Sequence, residues 1–186
     1  NGATGNHDVV IGADDNIVIG DTVSATDQLV LLSRGGGLYN GGDTAILTGR
    51  FVYLQAADRI GQSGSALKTQ SNTLGAGSGG NGVYLTENNG LNVSTIHAQG
   101  ENAEVQLEAT VGDVVLGLLD VQGGDASVIS QGGNIRGNGG APLNVRANHL
   151  TLNADGAIGS AAEALTTEVD RLTTTTGCLN WHANVT

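Results

Sequence analysis

Apolar residues recur in this chain about every seven to eight positions, separated by glycine, asparagine or threonine, and this spacing constrains the fold more than any other feature. From residue 128 onward the apolar centres fall at Val128/Ile129, Ile135, Leu143/Val145, Leu150/Leu152, Ile158, Leu165, Leu172 and Leu179. Each centre is too short to form a helix face, and the gaps do not follow a 3.6-residue period. Short strands joined by tight bends fit both facts. Three such steps make about 21–24 residues, roughly one turn of a three-sided parallel β-solenoid.

Composition agrees. The chain has 186 residues, with 31 glycines against one proline, one phenylalanine, one tryptophan and three tyrosines. A conventional core would need more aromatic volume, whereas stacked coils fill a narrow channel with ladders of Val, Ile and Leu. Glycine and asparagine supply the positive-φ residues that corners need. Residues 104–137 alternate cleanly, so Val105, Leu107, Val114, Leu116, Leu119, Val121, Val128 and Ile135 are expected to face inward. Gly112-Asp113, Gly123-Gly124 and Gly132-Gly133 then mark corners, as do the glycines at 35–37 and 137–140. No helix is expected, and residues 161–164 read as a corner bulge. The expected fold is all-β, a right-handed parallel β-helix of about seven to eight coils, roughly 35–40 Å long. Its exposed end edges would favour end-to-end self-association.

The chain also resembles itself. At an offset of 98 residues, 52–74 aligns with 150–172: Leu54 meets Leu152, Ala56 meets Ala154, Ile60 meets Ile158, and Leu67 meets Leu165. Read as four coils of about 24 residues, this offset requires some corners to carry extra residues. The glycine-rich stretch 75–82 is the natural place for them. The N-terminal part is built differently, from a tandem octad in which Asp8-Val9-Val10-Ile11-Gly12 is followed by Asn16-Ile17-Val18-Ile19-Gly20. Residues 1–30 are therefore expected to form an N-terminal coil or cap, and 31–186 the shaft.

The phrases L-x-L-x-A-x-G-x-I-G at 150–159, A-L-x-T-x-V-x-x-L at 164–172 and G-D-V-x-L-G at 112–117 resemble the haemagglutinin-like repeats of filamentous-haemagglutinin-type bacterial exoproteins. The likeness spans residues 45–186. It implies a parallel β-helix shaft from a very large surface or secreted protein that acts in adhesion or cell contact. Partners would then be glycans or proteins of a host or neighbouring cell, engaged through the full-length protein. The phrase around GADDNIVIGD resembles a calcium-binding RTX repeat, with a period of eight instead of nine and without paired glycines. That likeness implies calcium held by Asp8, Asp14, Asp15 and Asp21, through carboxylate and carbonyl oxygens at about 2.3–2.6 Å.

Charge narrows the classes. Eighteen acidic and seven basic residues leave a net charge of −11, scattered as on a solvated surface. No basic stripe with interleaved aromatics is present, which argues against nucleic acid. No apolar run approaches the ~20 residues needed to span a bilayer. The lack of methionine and of a signal segment reads as an internal piece of a longer exported protein.

Chemistry is sparse. The alternative to a structural role is a carbohydrate-binding or carbohydrate-cleaving β-helix, which for hydrolysis needs a carboxylate pair across a cleft. Asp14-Asp15 is a faint echo of one, but the G-H-G and R-I-K phrases of pectin-degrading hydrolases are missing. His7, His97, His149 and His182 form no metal-ligand spacing and read as exposed or corner residues. Cys178 reads as a small buried hydrophobe. Residues 173–176, all threonine, lack the per-coil recurrence of an ice-binding face, and the sequons at 92–94 and 184–186 are weak signals. The reading is a non-enzymatic structural segment of an extracellular adhesin or filament.

Overall fold

The structure, a computed structural model, describes residues 4, 5, 7–177 and 183–185. Among them there is no helix, and every strand pairing between named strands is parallel. The chain winds as a β-solenoid of about eight turns. One inward column shows it whole: Ile17, Leu38, Ile60, Val83, Val105, Ala126, Leu150 and Leu172 stack one per coil. A second column stacks Ile11, Leu31, Leu54, Ala76, Ile96, Leu119 and Val145.

A single apolar cluster runs through the described coils. The eight inward positions expected between 104 and 137 are all buried, at most 1% exposed. The glycine corners lie where expected, between strands, and Gly112, Gly123 and Gly132 take φ of 83°, 74° and 72°. A hydroxyl caps several corners. Ser33 donates to the Asp15 carbonyl over 2.7 Å, Ser78 to Asp58 over 2.5 Å, Ser130 to Gly112 over 2.7 Å, and Thr176 to Gly156 over 2.6 Å. Each reaches back to a carbonyl of the preceding coil, which at Asp58 also accepts from the Gly80 amide at 3.0 Å.

Coil length varies from 18 residues (Leu67 to Leu85) to 26 (Leu119 to Val145). The surplus is not at 75–82 as expected, because Leu67–Ser78 is one continuous strand. It sits instead at residues 61–65, which loop out between Ile60 and Leu67. In the next coil the partners of those two residues, Val83 and Leu85, are only two positions apart. Residues 159–164 form the matching bulge expected there: Ser160 bonds the Glu163 carbonyl as Gln62 bonds that of Ser65, and Gly159 and Gly61 take φ of 69° and 66°.

The internal repeat also has a different meaning from whole coils. Four coil steps carry Ile60 to Leu150, 90 residues on. An offset of 98 overshoots by about one side. Ile158 accordingly stacks on Ile135 and Val114, a different column from that of Ile60. The two copies share a local shape but are rotated by one side about the axis.

The octads are two consecutive sides of the first described coil, Val9–Ala13 and Ile17–Ile19, followed by Val23–Ala25 as the third. Both pair in register with the next coil. Cys178, Leu179 and His182 lie outside the described residues.

Candidate functional site

Alternation turns every second residue of a strand outward, and one side of the solenoid carries two outward rows of unusual composition. The first is Val10, Val30, Tyr53, Gly75, Thr95 and Leu118. The second is Leu32, Gln55, Gly77, His97, Asp120, Arg146 and Glu168. Both rows are reduced to glycine in the same coil, so the side is stripped of side chains along one strand.

The neighbours use that space. A Cβ on Gly75 would stand 2.9 Å from Cδ1 of Tyr53 and 3.1 Å from Oγ of Ser94, and one on Gly77 would collide with the Gln55 amide. Tyr53 therefore lies over the glycine strand and is still 38% exposed. Ser94 is an extra residue: register slips between Val93 and Thr95, and its hydroxyl donates to the Leu74 carbonyl over 3.1 Å. Such bulges re-aim side chains. Here the bulge brings a hydroxyl to the glycine floor. The result is a groove of about 540 Å³, floored by Gly75 and Gly77 and walled by Tyr53 and Gln55 on one flank and Ser94 and His97 on the other.

His97 is held from behind. Its Nδ1 lies 3.4 Å from Asp120 Oδ2, and its Nε2 lies 2.7 Å from the Gln99 amide nitrogen. With the amide donating, Nε2 is the acceptor and the ring proton sits on Nδ1, facing Asp120. Arg146 closes the other end, 3.7 Å from Asp120 Oδ1 and 3.1 Å from Glu168 Oε2. Asp120 is only 8% exposed, and its Oδ1 has no hydrogen-bond partner. His97 and His149 thus lie on strands instead of at corners. His149 contacts Arg171 at 3.0 Å and Thr173 at 2.9 Å.

Two other acids are drawn into the fold. Glu87 is fully buried and accepts from Thr69 Oγ1 (2.8 Å), the Ser71 amide (2.8 Å) and Ser71 Oγ (2.9 Å). Burial pushes its carboxyl above the ordinary range, and these bonds only partly offset that. At Asp58 burial also pushes upward, but hydrogen bonds from Asn81 and Tyr39 and the Arg59 charge prevail, leaving the carboxyl below the ordinary range.

The four aspartates expected to hold calcium are placed at successive bends. Asp8 precedes Val9–Ala13, Asp14 and Asp15 follow it, and Asp21 follows Ile17–Ile19. Eight residues span one side of a coil, so the octad period distributes the acids around the coil instead of stacking them along one edge. Asp14 pairs with Arg34 at 3.3 Å, Asp8 accepts from the Gln28 amide at 3.2 Å, and Asp21 accepts from the Thr22 amide at 2.8 Å. Among the described residues, no three His, Cys, Asp or Glu side chains gather as a metal-holding group. No helix among them is long and apolar enough to cross a membrane.

No protein-family model matches the chain, and neither the curated proteins nor the solved structures contain a significant match to it.

Proposed function

We propose that this chain is a segment of a stiff extracellular rod, part of a larger bacterial surface or secreted protein that acts in adhesion or cell contact. The observation that carries this reading is the unbroken inward column from Ile17 to Leu172, which keeps parallel register through eight levels despite coils of unequal length. Inter-coil hydrogen bonds run along the axis, and variation in coil length falls at corners and at the Ser94 bulge. Such a body transmits position along its length. The likeness of residues 45–186 to haemagglutinin-like repeats supports the same setting.

Catalysis has less behind it. The groove is backed by one carboxylate, Asp120, committed to His97 and Arg146, whereas glycoside hydrolysis by the usual route uses two carboxyl groups facing the scissile bond.

An antibody raised against the purified chain tests the proposal on intact cells of the source organism. Surface labelling, together with a band several times the mass of this chain, is the expected result. A band of this chain's own size, found only inside lysed cells, overturns it.

A further inference from the structure

We infer that the trench over Gly75 and Gly77 is a binding subsite for a neutral oligosaccharide, with Tyr53 as its stacking platform.

The trench is one coil deep. Tyr53 and Thr95 pair with Gly75 from the coils on either side, so the flanking backbones stand about 10 Å apart, two strand spacings, with the Tyr53 ring and the Gln55 amide laid into that span. At about 540 Å³ the groove falls within the roughly 300–1,000 Å³ of small-molecule sites. Its chemistry is mixed in the way a sugar requires. One face of a pyranose presents C–H groups, which pack on an aromatic ring, and its rim presents hydroxyls that both donate and accept. Tyr53 supplies the ring, lying over the glycine strand and partly open to solvent. The amides of Gln55 and Gln99 and the hydroxyl of Ser94 supply paired donor and acceptor capacity.

Charge selects among sugars. The lining contains no lysine, arginine or carboxylate, and its one imidazole, His97, is backed by Asp120. An anionic sugar would meet no cation in the lining and would sense the carboxylate behind the ring. A neutral hexose or N-acetylhexosamine chain meets only dipoles.

The glycine floor is what lets Tyr53 and Gln55 lie down across the strand. Side chains at both positions would fill the trench, and the strand carries Gly-Ala-Gly-Ser where the neighbouring coils carry Tyr53-Leu54-Gln55 and Thr95-Ile96-His97. Packing inside the solenoid does not require this, because the inward residues of the stretch are Ala76 and Ser78.

The test uses the whole chain, labelled with nitrogen-15, titrated with chitotetraose, cellotetraose, maltotetraose and mannotetraose, with sialyllactose as the anionic comparison. At least one neutral tetrasaccharide is expected to shift the Gly75, Gly77 and His97 amides. Tyr53→Ala and Gln99→Ala should each weaken it by about tenfold or more. Both positions face outward, so the inward columns are untouched, and a circular-dichroism melt verifies folding. A Tyr84→Phe variant, on another side, should bind as the parent does. No shift with any neutral probe, shifts confined to sialyllactose, or binding unchanged in Tyr53→Ala would each overturn the inference. A chain that binds no sugar is still a rod, so this outcome and that of the surface-labelling experiment are separable.

Discussion

The backbone amide of Ser71 donates to Oε1 of Glu87 across 2.8 Å inside the core, from one coil to the next. The hydroxyls of Thr69 and Ser71 donate to Oε2 of the same carboxyl. A carboxyl group is thus buried where the same inward column has Leu47 and Ala109.

This position gives a pH prediction. Burial raises the Glu87 carboxyl in the folded state. An acid raised in this way adds stability that is full below the unfolded-state value and is lost as pH rises through the folded one. Glu87→Gln keeps an acceptor for the Ser71 amide and can donate to the two hydroxyls. Urea melts should find it more stable than the parent at pH 8, with the difference gone at pH 4. Glu87→Ala strands the amide and leaves a void, and should cost about 2–4 kcal/mol at both.

Adjacent glycines at one corner should fail for different reasons. Gly123 holds φ of 74° with open space around it, while Gly124 has no room because a Cβ there would overlap the Ala103 carbonyl. That carbonyl accepts from the Asp125 amide at 3.1 Å. Gly123→Ala should cost about 1–2 kcal/mol, and Gly123→Asn less, since asparagine tolerates the left-handed region. Gly124→Ala should cost about 3 kcal/mol, the sum of overpacking and a strained inter-coil bond, with no relief from asparagine. Thermal melts of the four variants separate the two causes.

Position in the column should decide the cost of losing apolar volume. Leu107 stacks between Leu85 and Val128 and is 1% exposed, whereas Val18 is 64% exposed. Leu107→Ala is expected to cost about 2–5 kcal/mol and Val18→Ala close to nothing. Equal costs by urea titration would contradict the assigned register.

The Asp120 ladder should respond to salt. Arg146 is about half exposed, so removing it as Arg146→Met should cost only about 1 kcal/mol after solvent screening. The loss should shrink in about 1 M sodium chloride. A double-mutant cycle with His97→Ala should show coupling, because both partners share one carboxylate.

Much of this architecture was legible from residue order. Strict alternation identified Val105 to Ile135 as inward, since parity needs no knowledge of coil length. Glu87 was not legible as an interior residue: it lies two positions beyond Leu85, but its charge argues against burial until Ser71 and Thr69 are seen beside it. The groove was not legible. It depends on Tyr53 facing Gly75, 22 residues on, and Gly75 facing Thr95 after a further 20, with a slip at Ser94 between. Unequal steps hide such neighbours from any fixed period. For the same reason the 98-residue echo suggested whole coils, when it records one corner shape used again on a different side. The likeness of residues 11–21 to a calcium repeat followed the spacing of acids along the chain, and spacing along one coil spreads ligands apart.

The axial hydrogen bonds imply a distinctive response to pulling. Tension applied along the rod loads the ladder between two coils lengthwise, so the outermost coil peels away while those below keep their pairing. Each detached coil of 18 to 26 residues would release about 60–90 Å of slack. The chain would thus yield in small repeated steps and act as a shock absorber, with length paid out one winding at a time.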